Sequence, residues 1–393
     1  MEVAVNYRKF GKLNWEASAL GFGIMRLPTR EKNYGDIIEE ESQKMVRYAI
    51  DHGVNYLDTA WNYHMENSES FLGKALADGY RAKVKIATKL PCWLVEKPED
   101  LDRFFDAQME RLQLTHIDFY LLHALQKNWW DKMKSFHYTD WAERKMADGV
   151  IGHIGFSFHD KFPLFKEIID DYPNWALAMV QHNYMDAQKE AGIEGISYAV
   201  DRGLAVVAME PLRGGQLAKE PPDDVRAYFS ETVPGRSAAE WGLKWLWSQK
   251  DISVVLSGMT TMEQLRENLK IADSSSEGCM TPEEHKAVAS TRQAYEAKAP
   301  ILCTDCRYCM PCPFNVGIPF VFEYCNMARM YNDLRMAKAH YAFLGEESSA
   351  ANCTQCGECV KHCPQHLDII NLLKDCHAIL YTADEKKPQG SQE

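Results

Sequence analysis

Between residues 19 and 259 the chain repeats one alternation eight times: a short run apolar at nearly every position, then a longer segment whose apolar residues recur at helical spacing. The apolar runs are Ala19–Leu27, Asn55–Ala60, Val84–Leu90, Ile117–His123, Ile151–Phe158, Ala178–Met185, Leu204–Leu212 and Ile252–Met259. Runs hydrophobic on both faces read as strands buried on both sides. The segments between them read as amphipathic helices. Met45 and Ala49, and Val46 and Ile50, stand at i,i+4 in one of them, which Gly53 ends. Trp241 and Trp245 share that spacing in another and read as packing residues.

Eight strand–helix units over about 250 residues predict a (β/α)8 TIM barrel within an α/β fold. A doubly wound open sheet is the alternative, but it wants a glycine-rich turn leading straight into a helix after its first strand, and "LGFGIMRLP" does not supply one. Residues 3–18 read as a short hairpin with a Gly11-Lys12 turn closing the barrel bottom. After residue 273 the texture becomes polar and turn-rich. The expected organisation is a barrel over 1–273, a linker and helix over 274–300 with Thr281 as helix cap, a small α-helical module over 301–381 and a disordered tail over 382–393.

Composition narrows the classes. A hydrophobic fraction of 46% and a charged fraction of 25% are globular values, and the net charge of -12 argues against nucleic acid or an anionic membrane as partner. No stretch is long and apolar enough to span a bilayer, and the start lacks an apolar signal core. A cytoplasmic location follows as the expectation, and there the 12 cysteines are not a disulfide framework. Eight of them crowd into two runs, Cys303, Cys306, Cys309 and Cys312, then Cys353, Cys356, Cys359 and Cys363. Such crowding points to metal.

In a barrel of this type chemistry sits at the C-terminal ends of strands. Asp58 ends the second run, Lys89 lies near the end of the third, His123 ends the fourth, and Tyr63 follows Asp58 in the adjoining loop. Each alone has a plain structural reading: a helix cap, a solvated ammonium, packing rings. Together at one rim they are the set that proton and hydride chemistry requires.

On "DTAWNY", "ATKL" and "LLHAL" the region from about residue 5 to 273 resembles the aldo/keto reductase superfamily, whose tetrad is Asp, Tyr, Lys and His on these strands. The resemblance implies that Tyr63 gives a proton to a carbonyl oxygen as hydride arrives from NADP or NAD. It implies that Lys89 favours the phenolate, Asp58 holds Lys89, and His123 orients the carbonyl. It further implies a cofactor pocket from Ser157, Gln181, Met209, Pro211, Leu212, Ser257, Gly258, Thr260, Thr261, Gln264, Glu267 and Asn268. That pocket departs from the family pattern: Thr260 and Gln264 stand where cations are usual, which leaves only Arg266 nearby. Phe158 stands where Asn is usual, and Met209 replaces an aromatic ring. Trp93, Trp129 and Trp130 either line the substrate pocket or pack against the C-terminal domain.

The second cysteine run, C-x2-C-x2-C-x3-C-P, is the bacterial ferredoxin pattern; the first is one residue shorter before its last cysteine. The expected arrangement is two [4Fe-4S] clusters with crossed fourth ligands: Cys303, Cys306, Cys309 and Cys363 on one, Cys353, Cys356, Cys359 and Cys312 on the other. Tetrahedral zinc is the competing reading, but it favours separated C-x2-C pairs. Cys325 and Cys376 read as buried or incidental.

The "CRYCMPCP" and "MEPLRGG" stretches resemble the iron-sulfur-containing aldo/keto reductases. The implied function is an oxidoreductase acting on a small carbonyl or alcohol, with clusters exchanging electrons with a redox partner protein or a second cofactor such as a flavin, for which no motif is seen. The alternatives are an NAD(P)H-dependent carbonyl reductase with structural clusters, and a non-enzymatic electron carrier or redox sensor.

Overall fold

The computed structural model describes residues 5–30, 33–303, 308–363 and 365–381. The expected ligand Cys306, Pro364 and the tail over 382–393 lie outside the described residues. Two compact units are present: residues up to Lys219 together with Gly235–His285, and Glu220–Pro234 together with residues from Lys286 onward.

In the first unit a two-stranded hairpin, β1 (Tyr7–Lys9) and β2 (Glu16–Ser18), precedes eight parallel strands. These are β3 (Leu20–Gly23), β4 (Tyr56–Asp58), β5 (Lys85–Leu90), β6 (Ile117–Leu125), β7 (Ile151–Phe158), β8 (Leu177–Gln181), β9 (Ala205–Met209) and β10 (Val254–Gly258). They close in the order β10-β3-β4-β5-β6-β7-β8-β9, the predicted barrel. Inward side chains such as Tyr56, Phe119, Leu121, Met179 and Val207 fill its interior. Outward ones such as Leu57, Ile86, Phe156 and Val255 meet the helical layer. This double burial is why the strands read as unbroken apolar runs.

The hairpin differs from its expected form. Its loop spans six residues, with Phe10 N donating to Trp15 O at 3.2 Å, and Gly11-Lys12 lie inside it. The longer loop turns Phe10 into the barrel floor, where its ring meets Phe119 at 5.0 Å. Gly11, at φ +55°, lies against the backbone of Leu204 and Ala205, where no side chain fits.

Around the barrel, the helix Glu39–Asp51 buries Met45, Val46, Ala49 and Ile50, as its spacing predicts. The helix Ala238–Trp247 is capped by Ser237, which accepts from Glu240 N at 3.1 Å, and fully buries Trp241. Trp130 is buried beside Trp175 at 6.3 Å, so it belongs to the barrel's packing.

The second unit is helical in its described residues, with Ile318–Met330, Leu334–Leu344 and Ile369–Leu380 around a core of Val321, Phe322, Tyr341 and Leu373. The sequence boundaries at 273 and 301 do not anticipate that Glu220–Pro234 groups here. Lys298 pairs with Asp224 at 2.7 Å and ties that segment to its unit. The helix Pro282–Ala297 follows Thr281, whose hydroxyl accepts from Glu284 N. Among the described residues no helix is long and apolar enough to cross a membrane.

Candidate active site

A cavity of about 620 Å³ opens where the barrel strands end, and Asp58, Tyr63, Lys89 and His123 all line it. Lys89 is the hub. Its Nζ lies 2.5 Å from Asp58 Oδ1, 2.8 Å from Thr59 O and 3.3 Å from Tyr63 Oη. Only 1% of either the Lys89 or the Asp58 side chain is exposed. The His123 ring stands edge-on to Tyr63 at 5.9 Å, and Trp93 packs on it at 5.1 Å.

Burial and charge set the protonation states. Burial pulls Lys89 down, but Asp58, Tyr63 and their hydrogen bonds outweigh it, and its pKa lies above the ordinary lysine value. Burial pushes the Asp58 carboxyl up against the pull of Lys89. Burial also holds the Tyr63 phenol above its usual value, although Lys89 draws it the other way. The sequence-based expectation that Lys89 favours the phenolate is right in sign but smaller than desolvation. His123 is driven well below the ordinary histidine value by burial, then by Lys89 and His159, so it is a neutral imidazole.

The local backbone explains these positions. His64, Met65 and Glu66 all adopt left-handed conformations (φ 50°, 52° and 70°) just after Tyr63, and His64 is buried with its Nδ1 2.7 Å from Tyr34 O. In β6 the pairing with β7 shifts register between Leu122 and Leu125, and Ala124 takes φ 55°. That bulge bends the strand at His123. Strain of this kind collects at functional sites.

The family model for aldo/keto reductases matches residues 19–290. The chain belongs to the aldo/keto reductase family. A 4Fe-4S dicluster domain model matches residues 302–367. Among curated proteins, the uncharacterized oxidoreductase YrpG of Bacillus subtilis is 27% identical over 297 residues, 64% of this chain and 89% of that protein. L-galactose dehydrogenase of Arabidopsis thaliana is 25% identical over 287 residues, 67% of this chain and 87% of that protein. Among solved structures, the holo form of aldo-keto reductase AKR11C1 from Bacillus halodurans shares the fold, with a TM-score of 0.61 and 23% identity over 73% of this chain and 96% of that one. The protein is thus an oxidoreductase of a family in which nicotinamide dependence is typical.

In this reductase every residue of the expected cofactor set lines the cavity except Gln181 and Thr261. Gln181 donates to Asp186 Oδ2 at 3.1 Å, and Thr261 caps the helix Met262–Asp273. Gln264 completes that cap, accepting from Thr260 N at 2.8 Å, and the Thr260 hydroxyl donates to Arg26 O. Arg266 lies over the Tyr48 ring rather than in the cavity. Phe158 is buried outward beside Phe165.

The sequence reading missed Arg26, His159 and Glu210, which also line the cavity. Arg26 pairs with Glu210 at 3.1 Å. Strand parity is the signal that finds His159: Ser157 faces in, so the residue two further on does too. Gly23, Gly214, Gly215 and Gly258 also line the cavity, and Ser257, Glu267 and Asn268 offer hydrogen-bonding groups on the β10 side.

In the second unit Cys303, Cys309, Cys312, Cys353, Cys359 and Cys363 pack on the helical core. Burial raises the Cys359 thiol, and the neighbouring charges that add to this are Cys353, Cys312 and Cys356. Cys312, from the first run, is therefore within electrostatic reach of Cys359 in the second. Among the described residues no three ligating side chains converge on a single point.

Proposed function

We propose that the barrel reduces the carbonyl of a small molecule with a nicotinamide dinucleotide, and that [4Fe-4S] clusters on the C-terminal cysteines exchange electrons with a redox partner. The observation that carries the first part is Lys89 hydrogen-bonded to both Asp58 and Tyr63 in one cavity with His123. The donor chemistry of eight thiolates in ferredoxin spacing supports the second. Cys312 within electrostatic reach of Cys359 supports crossing of a fourth ligand between the two runs.

The dinucleotide, when bound, supplies hydride; the clusters, when bound, move single electrons. The chain's residues do the rest. Tyr63, protonated at neutral pH, gives its Oη proton to the carbonyl oxygen as the carbonyl carbon is reduced. The phenolate left behind faces the Lys89 ammonium at 3.3 Å, and Asp58 keeps that ammonium charged. Neutral His123 offers an N–H to the same oxygen without competing for the proton. The phenolate then takes a proton from water.

Replacing Tyr63 by Phe removes the proton donor and should lower carbonyl reduction by roughly 10²–10⁴-fold. Turnover that survives Tyr63→Phe would sink the tetrad reading. Low-temperature EPR of anaerobically prepared protein tests the second part. Cluster signals that appear on adding NADH support electron exchange, whereas clusters reduced only by dithionite support a structural role.

A further inference from the structure

The cavity holds a second histidine that the tetrad does not use. Phe156 and Phe158 of β7 are buried outward against Phe165, so Ser157 and His159 face inward, and both line the cavity. Two contacts fix His159. Its backbone N–H donates to Leu125 O at 3.0 Å, at the end of the strand that carries His123. Its Nδ1 lies 3.0 Å from Glu190 Oε1.

Glu190 reaches this place with a left-handed backbone, φ 54°, and its Oε2 is buried without a protein partner. A carboxylate on Nδ1 holds one proton there, so a second proton goes to Nε2, and in that charged form Nε2–H is the free donor. Among the described residues Nε2 has no protein partner. Burial lowers the His159 pKa, but Glu190 and then Glu210 outweigh it, and the ring gains a proton more readily than an ordinary histidine. Its other titratable neighbour, His123, stays neutral.

The cationic side chains lining the cavity are Lys89, Arg26 and His159. Lys89 is enclosed by Asp58, Thr59 O and Tyr63. Arg26 is paired with Glu210 and lies along Gly258, among the proposed cofactor residues. The site for the carbonyl oxygen is a phenol and a neutral imidazole, which read no charge. His159 is left to read one.

We propose that His159, clamped by Glu190, is a specificity-determining residue that receives the carboxylate of the substrate, so that the barrel acts on carbonyl compounds bearing an acid group. This rests on the carbonyl-reductase reading above. The test compares phenylglyoxylate with phenylglyoxylamide, which share a ketone and differ in charge, using the holoenzyme and NADH. The wild type should favour the acid. His159→Gln should lower the acid-to-amide ratio of kcat/KM roughly ten- to a hundredfold, as loss of a charged hydrogen bond does. Glu190→Gln should lower it less and move the pH at which acid preference disappears downward. An unchanged ratio overturns the proposal, as does weaker NADH binding in His159→Gln with the ratio intact.

Benzoate and benzamide binding, followed by tryptophan fluorescence, separates this inference from the reading beneath it. Benzoate binding that depends on His159, with neither ketone turned over, would keep the carboxylate site and remove the reductase reading. Turnover of both ketones at equal rates in wild type and variants would do the reverse.

Discussion

At the scale of single residues, the tetrad sets the pH behaviour. In the proposed mechanism reduction needs the protonated Tyr63 phenol, which is present below its pKa and lost as pH rises through it. Burial places that pKa above the ordinary tyrosine value of about 10, and His123 titrates well below about 6.5. Reduction of an uncharged ketone at saturating substrate should therefore be flat from about pH 6.5 to about pH 9 and fall only above about pH 10. A fall centred on neutral pH would contradict the neutral assignment of His123. The β10 side of the cavity makes a second prediction. Thr260 and Gln264 are engaged in backbone hydrogen bonds, the Arg26 side chain beside Gly258 is paired with Glu210, and the Glu267 carboxylate accepts from Ser237 at 2.7 Å. Among the described residues a 2′-phosphate finds no unpaired cation there, so NADH should bind more tightly than NADPH, by about tenfold or more for one missing charged hydrogen bond. Thr260→Lys should narrow the gap, read as dissociation constants by fluorescence titration.

At the scale of elements, a buried network holds the strand that carries Lys89. Gln108, on the helix Asp100–Leu112, donates through Nε2 to Lys89 O at 3.1 Å and to Glu69 Oε1 at 2.5 Å, and its Oε1 accepts from Tyr120 OH at 2.8 Å. Thr88 also donates to Glu69 Oε1. Each member is buried, so deleting one leaves the others without partners. Gln108→Leu should cost about 2–5 kcal/mol in chemical denaturation. A cost below about 1 kcal/mol, that of one ordinary hydrogen bond, would mean the network relaxes freely. Strand parity also belongs here: one inward step along β7 separates Ser157 from His159, while Phe158 between them packs outward.

At the scale of the whole chain, the two kinds of chemistry draw on separate sets of residues. The tetrad comes from β4, β5, β6 and one loop, and the cysteines from a helical module with its own core. Cys356→Ser should remove one cluster's EPR signal and abolish electron transfer from NADH to a one-electron acceptor dye, while carbonyl reduction persists. Loss of both activities together would mean that the cluster supports the barrel's chemistry or folding.

The eight strands, the tetrad and the cysteine spacing were legible in the sequence because each rests on local rules. Double burial makes apolar runs, barrel chemistry sits at strand ends, and cubane ligands keep fixed spacings. The hairpin loop was misread as a two-residue turn because Phe10 is drawn into a floor built from distant strands. Arg26, Glu210 and Glu190 were invisible for the same reason: partners as far apart as Arg26 and Glu210 meet only when the barrel closes, whereas strand parity with Ser157 marks His159. The balance at Tyr63 was also beyond the sequence, because spacing names the neighbouring cation but not the depth of burial that outweighs it. Local pattern determined the fold and the reacting groups; tertiary closure decided their charges, and which further side chains face the cavity with them.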